Sequence, residues 1–284
     1  MKQRFFDCGR YRLKLGGTDT RPLVMGILNV TPDSFSDGGR FSSLESAVTQ
    51  AEKMIDDGVD IIDIGGESSR PGAVPIPLHE ELRRVMPVIY ALRDCGKPLS
   101  IDTCKPEVMR EALAADADMI NDIQGFRGAE AIELVTTSTC GVCIMHMLRE
   151  PATMQAAPQY EDVLADVSDF LVERAKSLQA AGVATARILV DPGFGFGKTQ
   201  AHNLALLRNI AAIRDRAGAP VLAGLSRKAM VGAITGKPVE QRLAGSLAAA
   251  LAAVSAGADI VRVHDVAETV DALKVWQTIR PSSE

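Results

Sequence analysis

Polar side chains recur at the ends of short apolar runs along the chain. Eight such residues stand out: Asn29, Asp63, Asp102, Asn121, His146, Asp191, Ser226 and His264. A polar side chain is unfavourable in a strand that is buried on both faces, unless a partner satisfies it. Each of these residues alone could cap a helix or begin a turn. Their recurrence at every predicted strand end instead indicates a ligand site.

Three of these residues offer several hydrogen-bond acceptors. Asp102 and Asp191 carry carboxylates, and Asn121 carries a carboxamide. A planar heterocycle with N–H groups in an amidine-like array can satisfy two carboxylates and a carboxamide at once. Guanine-like and pterin rings have such an array. The sequence therefore predicts a nitrogen heterocycle as one ligand.

Basic side chains near these acceptors predict a second, anionic group. Arg70 follows the second predicted strand and Lys228 follows the seventh, while Arg262 and His264 lie in the eighth. Guanidinium and ammonium groups are common partners of phosphate oxygens. We therefore expect a phosphate or a similar anion to bind beside the heterocycle.

Other charged and sulfur-containing residues receive structural interpretations. Lys198 and Arg127 are interpreted as solvated surface charges, since lysine and arginine are rarely buried. A run of charges in one predicted helix is interpreted as a solvated face: Glu80, Glu81, Arg83 and Arg84. Three methionines could line a ligand, but core filling is the favoured interpretation: Met145, Met147 and Met154.

A glycine-rich tract, DPGFGFGKT, occupies residues 191–199. It is not a phosphate-binding P-loop, because Pro192 stands where that motif needs glycine. The alternating glycines are interpreted as letting the backbone pass close to a flat ligand, so that Phe194 or Phe196 can reach it. A flexible loop without ligand contacts is the alternative.

The sequence argues against a metal hydrolase, another enzyme class that gathers histidine and aspartate at strand ends. The chain has four histidines and neither HxH nor HExxH, and His79 and His202 fall in predicted helices. Cys140 and Cys143 form a CxxC without a second pair, which favours ordinary burial over zinc binding. Mg²⁺ carried by a pyrophosphate substrate stays compatible with the sequence.

The elements that must position these residues are predicted from the apolar runs. The predicted strands are residues 22–29, 59–65, 98–102, 118–122, 141–146, 187–192, 220–226 and 259–264. Amphipathic, alanine-rich helical segments lie between them, and several end in glycine. A doubly wound sheet would have GxGxxG after its first strand, where this chain has NVTPDSFSDGG. The pattern favours an α/β fold of the TIM (β/α)8 barrel type, whose strand ends meet at one face.

The chain of 284 residues suits one barrel, which commonly takes about 250 residues. Residues 1–20 are predicted to form a short N-terminal β-hairpin and residues 21–284 the barrel, so that residues 1–284 make a single domain. The net charge of −5 argues against nucleic-acid and anionic-membrane partners. The sequence shows no signal peptide and no membrane span, and its five cysteines are odd in number. We therefore expect a cytoplasmic protein with reduced thiols.

Long motifs in this chain resemble those of the dihydropteroate synthase family. They are MGILNVTPDSFSDGG, DIGGESSRPGA, SIDT, IND, DPGFGFGK, GLSRK and RVHD, each after a different predicted strand and in the order of the family. The resemblance covers essentially the whole barrel. It implies a transferase that condenses a dihydropterin pyrophosphate with p-aminobenzoate, with Mg²⁺ as cofactor and usually as a homodimer.

The resemblance also implies roles for matching residues. The pterin would be bound by Asp102, Asn121, Asp191, Lys228 and Met145. The pyrophosphate would be bound by Asn29, Ser69, Arg70, Arg262 and His264, with Asn29 also touching Mg²⁺. The p-aminobenzoate would lie near Phe35, Ser69, Arg70, Pro71, Phe196, Ser226 and Lys228. A closing first loop would include Thr31, Pro32, Asp33 and Ser34. The residues implied in catalysis are Asp102, Lys228, Arg262 and His264.

An aromatic amine is a weak nucleophile, which favours a dissociative substitution. In this hypothesis Asp102 stabilises a pterin cation, while Arg262 and His264 together with Mg²⁺ stabilise the departing pyrophosphate. Two alternatives stay open: another pterin-binding barrel, such as a methyltetrahydrofolate:corrinoid methyltransferase domain, and a pterin-binding paralogue without catalysis. The first alternative would not need the anion-binding Arg70 and Arg262.

One residue departs from the family pattern. Ser69 stands where the family commonly has threonine, which keeps the hydroxyl group but removes a methyl group. The predicted consequence is looser packing around p-aminobenzoate and around sulfonamides that mimic it.

Overall fold

Ten strands and ten α-helices occur in the described part of the computed structural model, which comprises residues 4–16, 21–31, 40–68, 70, 72–149, 154 and 157–279. The strands are β1 Arg4–Cys8, β2 Tyr11–Leu15, β3 Leu23–Asn29, β4 Ile61–Gly65, β5 Leu99–Asp102, β6 Met119–Asp122, β7 Gly141–Met145, β8 Ile188–Asp191, β9 Leu222–Ala223 and β10 Ile260–Val263. The helices are α1 Arg40–Asp56, α2 Leu78–Leu92, α3 Pro106–Ala114, α4 Ala129–Thr136, α5 Val163–Ala180, α6 Gln200–Arg208, α7 Ile210–Ala217, α8 Ala229–Thr235, α9 Leu243–Ser255 and α10 Val266–Ile279.

Strands β3 to β10 form one parallel sheet in the order β8, β7, β6, β5, β4, β3, β10, β9. A parallel bridge between Val190 and Val221, with the Val190 N–H donating to Pro220 O at 3.0 Å, joins the two edges. The sheet therefore closes on itself, and helices follow each strand. The prediction of a (β/α)8 barrel with an N-terminal hairpin is confirmed.

Helix α2 illustrates how the sequence places helices on the barrel. Val85, Val88, Ile89 and Leu92 recur with the spacing of one helical face, and all four are buried in the main apolar core between strands and helices. Burial of this stripe against the strands fixes the helix orientation.

Strand β9 is shorter than predicted. The sequence predicts a strand over residues 220–226, but only Leu222–Ala223 has strand geometry. The chain turns directly afterwards, since Arg227 adopts a positive φ of 57° and the Lys228 N–H donates to Leu225 O at 3.3 Å. This turn carries Ser226 and Lys228 to the rim of the barrel.

The hairpin β1–β2 closes the end of the barrel where the strands begin. Phe6 is fully buried, and its ring lies so close to Gly141 at the start of β7 that a methyl group there would come within 2.6 Å of it. A separate apolar cluster joins the hairpin to the first residues of the barrel strands: Phe6, Cys8, Leu15, Leu23, Met25, Ile61, Met119, Cys143, Leu189, Leu222 and Ile260. The hairpin thus plugs the end of the barrel opposite the predicted site.

Aspartates that precede the strands tie this closed end together. Asp118 accepts from the Leu99 N–H at 3.0 Å and pairs with Arg10 at 2.9 Å. Asp259 accepts from the Val221 N–H at 3.0 Å and pairs with Arg4 at 2.5 Å. Each carboxylate therefore accepts from a backbone N–H of a neighbouring segment and pairs with an arginine of the hairpin. It can do both because a carboxylate has acceptor sites for several donors.

We expect Phe6→Ala to destabilise the protein strongly. Removing a fully buried phenylalanine leaves a cavity and costs about 3–5 kcal/mol. The change is measured as a fall in the free energy of unfolding in urea. Phe5→Ala is the matched control, because Phe5 is 37% exposed on the same strand. Equal stabilities of the two variants would contradict the role of Phe6 in packing the hairpin against the barrel.

No helix among the described residues is both long and apolar enough to cross a membrane. The described cysteines are free thiols, and Cys140 and Cys143 are buried. The interpretation of that CxxC as ordinary core is therefore confirmed.

Candidate functional site

A buried cluster of charge lies where the barrel strands end. The Arg262 guanidinium on β10 donates from Nε to Asp63 Oδ2 at 2.6 Å and from Nη2 to Asp102 Oδ2 at 2.8 Å. Asn121 on β6 donates from Nδ2 to the same Asp63 oxygen at 3.3 Å. Four strands therefore contribute to one connected polar network inside the barrel mouth.

No ligand was predicted from the sequence for Asp63. Its side chain is fully buried, and Oδ1 has no hydrogen-bond partner among the described residues. The signal was present in the sequence, because an aspartate interrupts the buried strand IIDIG. Such a residue needs a partner to stay buried, and Arg262 is that partner.

The charges in this network shift one another's pKa values. Burial raises the pKa of Asp102 to about 7, and the positive charge of Arg262 opposes that shift. Burial lowers the pKa of Arg262, but Asp63 and Asp102 outweigh burial, so that its pKa is raised. The guanidinium therefore stays charged, while Asp102 gains or loses a proton near neutral pH.

Asn29 lies beside this network at the end of β3. Gly65 lies between Asn29 and Asp102: a methyl group in its place would come 3.7 Å from Asn29 Oδ1 and 3.7 Å from Asp102 Cβ. The strand register agrees, since Gly65 pairs with Asn29 on one side and with Asp102 on the other. The Asn29 amide thus faces the same space as the Asp102 carboxylate.

Asp191 and Lys228 form the opposite side of the barrel mouth. Asp191 is 4% exposed, and its Oδ1 accepts from the Gly193 N–H at 2.7 Å. Burial raises the pKa of Asp191, and the positive charge of Lys228 opposes this. Burial lowers the pKa of Lys228 to about 8, against the effect of Asp191. These two groups therefore offer an acceptor and a donor close together.

Gly224, directly after β9, leaves room for the two sides to meet. A methyl group in its place would come 3.7 Å from Lys228 Nζ, 3.8 Å from Arg262 Cβ and 4.0 Å from Asp191 Oδ2. The acceptors and the cations therefore surround one space. The two predicted ends of the site, for a heterocycle and for an anion, are joined by Arg262.

Ser226 lies in the turn after β9, and His264 directly follows the neighbouring strand β10. Ser226 Oγ is 3.0 Å from His264 Nδ1 and accepts from the His264 N–H at 3.3 Å. Burial lowers the pKa of His264 to about 4, and the charge of Arg262 lowers it further. The imidazole is therefore neutral at pH 7 and can donate one N–H to an anion.

Arg70 is exposed, and its positive charge also contributes to the lowered pKa of His264. Thr31 lies two residues after the end of β3, at the start of the first loop. The remaining predicted loop and p-aminobenzoate residues fall outside the described residues: Pro32, Asp33, Ser34, Phe35, Ser69 and Pro71.

An apolar wall borders the polar network. Met145 ends β7 directly opposite Asp191 in the strand register and is 4% exposed. It belongs to a small cluster that also contains Met147, Met154, Ile123, Cys104 and Phe196. The methionines thus fill a core, and this core lies at the edge of the site.

The glycine-rich tract is shaped by contacts within the protein. Gly193 has a positive φ of 69°, and a methyl group on it would meet His146 O at 1.9 Å. Phe194 is buried, whereas the Phe196 ring is partly exposed with its centroid 4.7 Å from Lys228 Nζ. Of the two aromatic rings considered from the sequence, Phe196 is therefore the one at the site.

Two charges that the sequence places in solvent are buried. Lys198 is 3% exposed, so its interpretation as a solvated charge is wrong. Glu81 is 1% exposed and accepts from Thr103 Oγ1 at 2.6 Å and from Lys105 Nζ at 2.5 Å. Glu81 lies one helical turn before Val85, on the buried face of α2, so helical spacing could have revealed it. Arg127 is exposed, as predicted.

Within the described ranges, no three histidine, cysteine, aspartate or glutamate side chains gather in a way that could hold a metal ion. The network instead combines buried acceptors with cations. This arrangement can bind a polar heterocycle and an attached anion, and it can stabilise opposite charges that separate during a reaction.

Comparisons with known proteins agree with this chemistry. The sequence profile of the pterin binding enzyme family matches residues 25–264. The chain is 52% identical over 259 residues to the dihydropteroate synthase of Haemophilus influenzae, covering 90% of this chain and 93% of the relative. It is similar to the Burkholderia cenocepacia dihydropteroate synthase complexed with 7,8-dihydropteroate, with a TM-score of 0.89, 53% identity and coverage of 99% and 98%. It also resembles the Xanthomonas albilineans enzyme with 4-aminobenzoic acid, with a TM-score of 0.91, 50% identity and coverage of 99% and 100%.

Proposed function

Because the chain belongs to the pterin binding enzyme family and, within it, to the dihydropteroate synthases, we propose that it condenses 6-hydroxymethyl-7,8-dihydropterin pyrophosphate with p-aminobenzoate. The products are 7,8-dihydropteroate and pyrophosphate. The observation that carries this proposal is the network of Asp63, Asp102, Asn121 and Arg262, which places acceptors and a cation around one space. A methyl transfer releases no pyrophosphate, so it would give this cation no leaving anion to stabilise.

The pterin ring binds among the acceptors at the strand ends. Asp102, Asn121 and Asp191 accept from the ring N–H groups, and Lys228 donates to ring acceptors. Met145 packs against the ring from the apolar wall. The burial of Asp102 and Asp191 supports this placement, because a ligand that supplies N–H groups offsets the cost of burying them.

The pyrophosphate binds between Arg262, His264, Arg70 and the Asn29 amide. A guanidinium can donate two parallel hydrogen bonds to a phosphate. The neutral His264 imidazole donates one further N–H. The p-aminobenzoate lies on the side of Phe196, Ser226 and Lys228, where the Phe196 ring offers an apolar face.

The reaction follows a dissociative path. The bond between the pterin methylene carbon and the pyrophosphate oxygen breaks first, and positive charge spreads over the methylene and the ring. Asp102 stabilises this charge, while Arg262 and His264 stabilise the leaving anion. The amine nitrogen of p-aminobenzoate then bonds to the methylene carbon and loses a proton to the released pyrophosphate. The early departure of the anion compensates for the weak nucleophile.

Mg²⁺ fits this site only together with the substrate. Asn29 Oδ1 supplies one neutral oxygen, which is a suitable ligand for Mg²⁺ but is insufficient alone. This ion commonly binds through substrate phosphates and water. When bound, it would neutralise charge on the leaving pyrophosphate.

A pyrophosphate-release assay tests the function. Purified protein with the pterin pyrophosphate, p-aminobenzoate and Mg²⁺ is expected to release pyrophosphate and to form 7,8-dihydropteroate, measured by chromatography. Omission of p-aminobenzoate should reduce release strongly, and excess EDTA should reduce it to background. Release that is independent of p-aminobenzoate would indicate a hydrolase, and no release would contradict the proposal.

Several features outside the site are part of the same proposal. The chain forms one domain over residues 1–284 and acts in the cytoplasm. A homodimer is supported by exposed apolar side chains on and near the last three helices: Ile234, Val239, Leu243, Val275 and Ile279. The mass of the protein in solution over a range of concentrations tests this assembly.

A further inference from the structure

Lys198 is a buried lysine that the proposed reaction does not use. Its side chain is 3% exposed, and its ammonium contacts acceptors from two loops. Nζ lies 2.9 Å from His146 Nδ1 and 3.3 Å from His146 O, directly after β7. It also lies 2.9 Å from Gly193 O and 3.1 Å from Phe196 O, in the tract after β8. Lys198 therefore joins the chain after β7 to the glycine-rich tract.

The contacts of Lys198 match an ammonium group. Three of the acceptors are backbone carbonyls, which need a donor, and an ammonium has three N–H bonds where a neutral amine has two. Burial lowers the pKa of Lys198 to about 7, and the charge of Asp191 opposes that shift. Burial also lowers the pKa of His146, so the imidazole is neutral and Nδ1 can accept. A buried ammonium is costly, and these acceptors offset its cost.

The same tract holds Lys228 from its other side. The Phe194 carbonyl accepts a hydrogen bond from Lys228 Nζ, and the Phe196 ring centroid lies 4.7 Å from that atom. Phe194 and Phe196 thus alternate with Gly193 and Gly195, which have positive φ values of 69° and 82°. The backbone shape that turns the Gly193 and Phe196 carbonyls toward Lys198 also presents Phe194 O and the Phe196 ring to Lys228.

The geometry points to Lys198 as a positioning residue for the reaction. With His146 as its partner, it fixes residues 193–197 in the conformation that orients Lys228 and Phe196 toward the substrates. Lys198 touches no substrate, and its effect passes through Lys228 and Phe196. This inference rests on the proposed function and assigns a purpose to the lysine of the DPGFGFGK motif.

The position of the tract determines which steps should depend on Lys198. Lys228 and Phe196 lie beside the proposed p-aminobenzoate and pterin positions. Arg262 and His264, which we assign to pyrophosphate, have their hydrogen bonds with Asp63, Asp102 and Ser226 instead. Loss of the Lys198 ammonium should therefore weaken p-aminobenzoate binding and turnover while leaving the anion site intact.

The test is Lys198→Met, which keeps an unbranched apolar stem and removes the donors. We expect kcat/KM for p-aminobenzoate to fall about 10- to 100-fold, because small displacements of positioning groups have effects of that size. The affinity for inorganic pyrophosphate, measured by calorimetry, should stay within about twofold. Hydrogen exchange of the backbone amides of residues 193–197 should accelerate. Lys176→Met, at an exposed lysine on α5, is the control and should change none of these quantities.

A second variant keeps the test decisive if Lys198→Met does not fold. His146→Phe preserves the ring that packs edge-on against Phe170, with centroids 5.1 Å apart, but removes the Nδ1 acceptor. It should cause a smaller loss of the same kind, because His146 O and the two tract carbonyls remain. Unchanged kinetics in both folded variants, or an equal loss of p-aminobenzoate and pyrophosphate binding, would overturn the inference.

The wild-type protein in the same assay distinguishes a failure of the proposed function from a failure of the role of Lys198. If it releases no pyrophosphate, the proposed function is wrong. If it is active and the folded variants match it, the role of Lys198 alone is wrong.

Discussion

Replacing Arg262 by methionine is expected to reduce kcat/KM by about 10³-fold or more and to destabilise the protein at neutral pH. Catalysis suffers because a guanidinium that stabilises negative charge on phosphate oxygens in a transition state can contribute about 10³- to 10⁵-fold, as it does in phosphoryl transfer. Stability suffers because Asp63 and Asp102 lose their shared cation inside the barrel. Breaking a buried ion pair by removing one partner typically costs about 3–5 kcal/mol.

The stability loss of Arg262→Met should depend on pH in a defined direction. Burial already raises the pKa of Asp102 to about 7, above the value of about 3.9 for an exposed aspartate, and Arg262 opposes that rise. Between these values the folded protein binds more protons than the unfolded chain, so stability falls as pH rises. Without the guanidinium the pKa of Asp102 rises further, so the pH range over which stability falls extends to higher pH. The variant should therefore approach wild-type stability at pH 5 and differ most at pH 8.

Thermal unfolding at several pH values checks this expectation, together with the pyrophosphate-release assay. Arg216→Met is the matched control, because Arg216 pairs with Asp169 on the surface and both side chains are about half exposed or more. Surface pairs contribute little to stability, so this variant should resemble wild type. A difference between Arg262→Met and wild type that is constant from pH 5 to pH 8 would contradict the role of the buried carboxylates.

The barrel could be predicted from the sequence because the patterns that indicate its strands are local. Each strand is a short apolar run followed by a polar residue, and parallel strands buried on both faces must have that composition. The extent of β9 was not predictable from Leu222 and Ala223 alone. Its end is set by the turn at Arg227, which has a positive φ without being glycine.

The buried charges were harder to predict because their partners are distant in sequence. Arg262 and Asp63 are 199 residues apart, and Lys198 and His146 are 52 apart. Composition alone places a lysine in solvent, since only a set of acceptors gathered by the fold can offset its burial. Glu81 differs, because its spacing from Val85 does reveal the buried face.

Asp102→Asn is expected to separate catalysis from stability. Asparagine keeps the shape and one acceptor oxygen but removes the negative charge that faces the pterin cation in our mechanism. The loss of one preorganised electrostatic contact commonly reduces kcat by about 10²- to 10³-fold. The fold should tolerate the change, because Arg262 keeps Asp63 at 2.6 Å and a carboxylate that is costly to ionise disappears.

Asp122→Asn provides the complementary control. Asp122 follows Asn121 directly, is 2% exposed and has its pKa raised to about 6 by burial. Its two oxygens accept from the Gln124 and Phe126 N–H groups at 2.8 and 2.7 Å. Asparagine has one acceptor oxygen for these two donors. This variant should therefore lose stability while keeping kcat, which is the reverse of Asp102→Asn.

The pH dependence of kcat/KM distinguishes a charge effect of Asp102 from a steric one. In wild type the ionised carboxylate is needed, so kcat/KM should fall as pH decreases through about 7, the pKa of Asp102 in the free protein. The residual activity of Asp102→Asn should lack that decrease, because asparagine does not titrate in this range. Any decrease caused by the pyrophosphate substrate would appear in both profiles and cancels in their ratio. If the ratio of the two activities were constant with pH, the negative charge of Asp102 would not stabilise the reacting pterin, and its contribution would be limited to hydrogen bonding.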